Sequence, residues 1–518
     1  MSFLRFGLFL LLTAMLLLAQ KPPGDAARVA GGEDPASELA PELKKFLDVL
    51  SVVQQRGAQQ VAPDKLVYQG AIPSMLRRLD PHTQFFEPAQ FDQLKQMEAS
   101  EQKGFGSIVS VFPGQVIFLQ ILPGTPTSKA GIQPGDELVA INNFAIGSMD
   151  PQQIIELLSE ARQHKISVYV RRQGMSQILQ FQLTPELQDA PTVDRSYRLE
   201  PGIGYIRITS WDVQTAKQFS DAIVKLNANP MDGLIVDLRD NPGGVVKAAL
   251  DGASMFLQPG QRILTAKGRT GVVESVDVPK KANPYKFRLA LLINAKTASA
   301  SEIFAGALQD HDRAIIIGEP SYGKGLVQSV LPLSGGAGLA ITTAFYYTPS
   351  GRTIQRPLRN SALSNTFDQA PDSKKLPVYK TDAGRTVTGG GGITPDMQVA
   401  PASPTRLETV LDASGAVTAF ATEYLAHHTS PSSPLPDSFK ITPEITDEFK
   451  VFLSMRRIQP SVGEWANERK WVEIRLLEEI RTLSKGVSAG DQVAAQRDAQ
   501  IQAALKVLHE AAPLTAQR

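Results

Sequence analysis

The sequence predicts a multidomain α/β protein with a helical N-terminal segment, a small β-rich module, an α/β core built on a layered sheet, and a helical C-terminal region. Three patterns carry this reading. Continuous apolar strands alternate with helices over 200–400, as in a sheet covered on both faces. Short β-patterned runs separated by Pro-Gly turns fill 104–185. Before and after these stretches, apolar residues recur at helical spacing.

Arg5 gives a positive start, and the uncharged run from Phe6 to Ala19 precedes Gln20-Lys21-Pro22-Pro23. Such a run is short for a membrane span and suits a signal peptide. Residues 1–20 are therefore read as a signal peptide or anchor. The chain is expected to be exported, either to the periplasm or to the outer side of the cytoplasmic membrane. No clear small-x-small site ends the run and no cysteine is present for a lipid anchor, so cleavage and retention both stay open. Residues 21–36 are rich in Pro, Gly, Ala and Asp and read as a linker. Leu39, Leu43, Phe46, Leu47, Leu50 and Val53 predict one helix. A second starts after Pro63 and runs through Leu66, Ile72, Met75, Leu76 and Leu79, so 37–103 is a helical N-terminal region.

In the module 104–185, strands are predicted at 108–112, 116–122, 137–141, 166–171 and 178–183, with one helix from Pro151 to about Arg162. In the core, 186–400, strands are predicted at 203–208, 233–238, 288–293 and 314–318. Helices are predicted at 215–226 and 245–256, and a third from Ser299. A polar stretch over 358–392 ends in four glycines. The remainder, 401–518, is helical again; Thr442-Pro443-Glu444 is a helix start, and Trp471, Ile474 and Leu477 share one helix face.

The 518 residues suffice for about three or four domains. Lys plus Arg total 53 against 52 Asp plus Glu, a balance with no electrostatic footprint for nucleic acid. With no cysteine, disulfides, thiolate metal sites and cysteine nucleophiles are excluded. No metal site or cofactor is expected; the one histidine pair, His427-His428, reads as part of a loop after a helix.

The chemistry concentrates in Leu291-Leu292-Ile293-Asn294-Ala295-Lys296-Thr297-Ala298-Ser299-Ala300-Ser301-Glu302-Ile303. A buried strand ends at a small-residue turn and a helix begins. A serine there is held at the sheet edge, where free helix amides supply positive dipole for an oxyanion. Serine needs a base, and two are available. Lys324 lies between glycines in Tyr322-Gly323-Lys324-Gly325 and would need burial to lower its pKa; as a bland alternative, the segment is a surface turn. His311, in Asp310-His311-Asp312, would suit a serine–histidine–acid scheme. Asp237-Leu238-Arg239-Asp240-Asn241-Pro242-Gly243-Gly244 follows a buried strand and either offers a glycine N–H to a substrate carbonyl or is a tight strand-to-helix connection.

Together these segments resemble a carboxyl-terminal processing, or tail-specific, protease. The resemblance is carried by 297–302 with Phe304-Ala305-Gly306-Ala307-Leu308-Gln309-Asp310, by Gly323-Lys324-Gly325-Leu326-Val327-Gln328, and by 237–244. Tyr346-Tyr347-Thr348-Pro349-Ser350-Gly351-Arg352, Gly392-Ile393-Thr394-Pro395-Asp396 and, in the lead-in, Asp80-Pro81-His82-Thr83 extend it over roughly 40–400. The resemblance implies a serine–lysine dyad with Ser299, rather than Ser301, as nucleophile and Lys324 as base. Gln328 would orient the amine, and the N–H of Ala300 with one of Gly243 or Gly244 would form the oxyanion hole. Thr297 stands where many members carry serine, a conservative change outside the dyad. His311 then becomes structural.

The β-rich module resembles a PDZ domain. Gly104-Phe105-Gly106-Ser107-Ile108 matches its carboxylate-binding loop, and Pro123-Gly124-Thr125-Pro126-Thr127-Ser128-Lys129-Ala130-Gly131-Ile132-Gln133-Pro134-Gly135-Asp136 closes the match. The strand from Ile108 would pair with an incoming peptide and the helix after Pro151 would form the far groove wall. The expected partners are polypeptides with unstructured C-terminal tails, an adaptor or regulatory protein, and further copies of the chain through its terminal helices. A chaperone or scaffold with an inactive protease fold would bind tails without cleaving them, and a serine–lysine hydrolase of small acyl substrates would leave the PDZ module without a use.

Overall fold

The computed structural model describes residues 35–98, 101–189, 191–357, 376–430 and 432–510. Residues 1–20, which the sequence predicts as a signal peptide or anchor, most of the predicted linker and much of the polar stretch from 358 lie outside the described residues.

The core sheet has six strands. Val193–Glu200 pairs antiparallel with Ile203–Ile208, and Gly233–Asp237, Arg288–Ile293, Ile315–Gly318 and Met397–Gln398 follow in parallel. Alternation along each strand divides the apolar residues between two layers. Leu234, Val236, Leu289, Leu291 and Ile293 join the core beneath the helices Thr215–Asn227, Val246–Ser254 and Ala300–Asp310. Ile235, Ala290, Leu292 and Ile317 face the other way, onto Ile501, Ala504, Leu505 and Leu508 of the helix Ala499–Glu510. The second face is thus covered by the C-terminal region, which the sequence sets apart as a separate unit.

A second, antiparallel sheet lies beside the core. Its strand Gly338–Tyr347 pairs with Leu326–Pro332, Arg262–Gly268 and Gln84–Phe86, and Gly271–Asp277 completes it. The sequence reading contains none of these strands. In particular, the lead-in is not wholly helical. After the helix Pro35–Arg56 and a wide-turned helix Lys65–Ala71 that runs on as Ile72–Leu76, the chain enters this sheet as Gln84–Phe86.

The β-rich module forms a sheet in the order Ser107–Phe112, Gln115–Ile121, Glu137–Ile141, Ile166–Arg171, Leu179–Leu183, with the helix Pro151–Ala161 across it. Asp150 and Gln153 cap that helix reciprocally. The outermost strand, Ser107–Phe112, has a partner on one side only among the described strands.

The helices Arg406–Ala413, Ala416–His428, Pro443–Met455 and Val462–Lys485 bury Leu411, Val417, Phe420, Phe449, Leu453, Leu476 and Ile480 among themselves. The inward seam of the last helix is Val472, Leu476, Ile480 and Leu483, while Trp471, Ile474 and Leu477 are half-buried beside it. The C-terminal helices therefore bury their apolar faces within the chain. The lead-in helix does not: Leu39, Leu43, Phe46 and Leu47 are 41–59% exposed.

Candidate active site

Strand Arg288–Ile293 ends in a turn whose last residue is Ser299, the cap of helix Ala300–Asp310. Its φ of 55° and ψ of −117° are costly for a side-chain-bearing residue. Thr297 holds this turn, donating its hydroxyl to the Leu238 carbonyl and accepting the Asn294 N–H, so threonine supplies there what a serine would. Ser301 is buried and accepts a hydrogen bond from the Trp211 indole at 2.9 Å, which commits the second serine to the core.

Gly243 and Gly244 pack beside the turn. A Cβ on Gly243 would lie 2.8 Å from Ser299 Cβ and 3.0 Å from the Ala300 nitrogen, and its φ of 99° excludes other residues. Asn241 couples the two segments, its carbonyl accepting from the Ala298 N–H and its side-chain oxygen from the Gly243 N–H. The Gly243 amide is thereby engaged, whereas the Gly244 amide has no acceptor among the described residues. Ala300, at the first helical position, has the orphan amide of a helix start. Upstream, Arg239 pairs with Asp237 and reaches Asp498 and Gln500 of the C-terminal region.

Lys324 lies on the loop before strand Leu326–Pro332 and is 4% exposed, which rules out a surface turn. Its Nζ donates to Gln328 Oε1 at 3.3 Å. Burial lowers its ammonium pKa to about 8, against Glu302 and Asp80, whose charges raise it. Gln328 sits on the strand and donates its Nε2 to the His82 carbonyl at 2.7 Å, bringing the lead-in turn into the site.

Glu302 joins the halves. This fully buried carboxylate accepts from the amides of Ser299 and Lys324 at 2.8 Å each, from the Gly323 amide at 2.7 Å, and from the Ser321 hydroxyl. Burial pushes its carboxyl above the ordinary value, although these donors pull it down. The sequence reading assigns Glu302 no part; the Ser-x-x-Glu spacing of a capping box, Ser299 to Glu302, is the local signal for it.

His311 lies elsewhere. It ends the Ala300–Asp310 helix, with Nδ1 on Asp382 and Gln261 and Nε2 on the Arg262 carbonyl, so both ring nitrogens serve packing.

In the β-rich module, Gly104 ends a strand paired to Glu186–Asp189, and Gly106, at φ 77°, lies against Thr125. Thr127 and Leu122 take the carbonyls of Phe105 and Gly106. Ser107 and Ile108 then open the edge strand, and Phe105 and Val109 pack, with Leu157 and Leu158 of helix Pro151–Ala161, against the module's core.

Residues 202–358 match the model of Peptidase family S41, and residues 117–172 that of the PDZ domain. The chain is 35% identical over 292 residues to a carboxyl-terminal-processing protease of Synechocystis sp., covering 55% of this chain and 68% of that one. It is 31% identical over 318 residues to a carboxy-terminal-processing protease of Bartonella bacilliformis, covering 61% and 73%. A solved photosystem II D1 C-terminal processing protease aligns at 26% identity over 70% of this chain and 88% of that chain, with a TM-score of 0.40. These matches make the chain a serine-type hydrolase of peptide bonds. The chain belongs to the carboxyl-terminal-processing proteases of peptidase family S41.

Proposed function

We propose that this peptidase works through a Ser299–Lys324 dyad and takes its substrates by unstructured C-terminal tails. The observation that carries the dyad is the shared carboxylate of Glu302, which sets the amides of the serine and the lysine two hydrogen bonds apart. Neutral Lys324 Nζ removes the Ser299 hydroxyl proton as Oγ attacks the substrate carbonyl carbon. The Ala300 N–H and an amide of the glycine pair, Gly244 being unengaged and Gly243 held by Asn241, receive the oxyanion, at roughly 3 kcal/mol for each donor. Collapse expels the amine, which takes the proton from Lys324. Lys324 then takes a proton from a water that attacks the ester carbonyl, and returns it to Ser299 Oγ as the acid product leaves.

The open edge of Ser107–Phe112 suits capture of an extended tail by strand addition, with the amides of the Gly104–Ile108 stretch at the terminal carboxylate. No helix among the described residues is long and apolar enough to cross a membrane. Export, to the periplasm or the outer side of the cytoplasmic membrane, rests on residues 1–20. The exposed stripe of Leu39, Leu43, Phe46 and Leu47 supports self-assembly or adaptor binding through the lead-in helix.

Incubation with an unstructured protein ending in an apolar C-terminus, with fragments read by mass spectrometry, tests the proposal. Ser299→Ala and Lys324→Ala should abolish cleavage and His311→Ala should retain it. An active Lys324→Ala variant would overturn the dyad.

A further inference from the structure

Gln328 can satisfy its two neighbours in only one orientation. Its Nε2 must face the His82 carbonyl, because an oxygen there would oppose another oxygen, and Oε1 is thereby turned onto Lys324 Nζ. What fixes that carbonyl lies in the lead-in. Asp80 Oδ1 accepts from the amides of His82 at 2.7 Å and Thr83 at 2.8 Å, and Oδ2 accepts from the Thr83 hydroxyl at 2.6 Å. Thr83 Oγ1 in turn accepts the Thr342 N–H, and the next residue, Gln84, pairs with Ala340 in the sheet that carries Gln328. Asp80 and Thr83 are buried, and Phe86 with Phe91 and Leu94 anchors the following segment.

We propose that the Asp80-Pro81-His82-Thr83 turn is the positioning element of the base, Asp80 setting the His82 carbonyl, which sets Gln328, which sets Lys324. This rests on Lys324 being the base. The charges that reach Lys324 come from Glu302 on the serine helix and Asp80 on the turn, both raising its pKa; His82 beside it is kept neutral to lower pH, chiefly by burial and then by Lys324 itself. The N-terminal region is in this sense a part of the active site, and any partner that moves it reaches the base.

Asp80→Asn, Gln328→Ala, the double variant and Lys324→Ala, all in the full chain, test this with a fluorogenic unstructured peptide. Asp80→Asn should lower kcat about tenfold or more with KM within about twofold. It should also move the acid limb of the pH profile to lower pH, since the anion that favours the ammonium is gone. The double variant should be no slower than Gln328→Ala, as expected of residues that act in series. Additive losses, or an unmoved limb, would overturn the proposal. Should Asp80→Asn fail to fold, Thr83→Ala takes its place in the cycle, and additivity there overturns it equally. An active Lys324→Ala variant would instead remove the dyad on which it rests.

Discussion

The backbone amides of Ser299 and Lys324 donate to one atom, Oε2 of Glu302, each at 2.8 Å. A strand-to-helix turn and a loop 25 positions later are therefore not aligned by packing alone. The arrangement resembles a hinge pin: either segment can shift only by breaking a buried, charge-assisted hydrogen bond.

Glu302→Gln tests the pin. One amide oxygen cannot serve donors converging on both carboxylate oxygens, so two of them would face an NH2 group. Each unsatisfied buried donor costs about 1–3 kcal/mol, and cleavage should fall by about a hundredfold as the serine and lysine lose register. Ser301→Ala is the comparison. It strands one buried donor, the Trp211 indole, at about half that cost in stability, yet should keep cleavage, and equal losses of cleavage in the two variants would reduce Glu302 to a packing residue.

The pH dependence follows from the lysine. Burial lowers the Lys324 pKa to about 8, so below that pH the amine is an ammonium and cannot take the serine proton. A plot of kcat/KM should rise with pH through about 8 and level off above it, falling about tenfold per unit on the acid side. Lys324→Arg, which stays charged throughout, should be inactive at every pH. A limb near the ordinary imidazole value would point away from the lysine.

Much of this site was readable in the sequence, and the unread part has a physical pattern. Strand–turn–helix signals around Ser299 and 237–244 are local, and apolar periodicity reports them. Glu302 was not read because an acid in a first helical turn already has a local explanation in the helix dipole. The His82–Gln328 bond joins residues 246 positions apart, and no periodicity records such a contact. The same holds for Ala499–Glu510, whose apolar stripe says that it is covered but not that the covering is the far side of the core sheet.

Ser299 carries backbone strain that glycine would relieve. At φ 55° and ψ −117° the strain amounts to about 1–3 kcal/mol, whereas glycine's looser unfolded chain costs about 0.4–1 kcal/mol. The first exceeds the second. Both Ser299→Gly and Ser299→Ala should be inactive, but the glycine variant should melt higher, by about 1 kcal/mol in stability. A lower melting temperature for Ser299→Gly would show that the turn is unstrained in solution.

Strand Gln115–Ile121 ties the PDZ module to the C-terminal helices through a single reversal of side. Phe118 points into the module's own core, while Leu119 is buried with Phe420, Phe449 and Leu476. Gln120 accepts the Val487 N–H at 2.9 Å, and Phe112 packs on Gly415. A charge at Leu119 cannot be paired in that apolar setting, so Leu119→Glu should release the contact and leave the module's interior intact. Leu119→Ala should cost about 2–4 kcal/mol at the same place. Hydrogen exchange in Leu119→Glu should rise at 119–121 and 485–490 while the amides of Ile166–Arg171, inside the module, stay protected. If those inner amides exchange equally fast, the module does not fold apart from the helices that hold it.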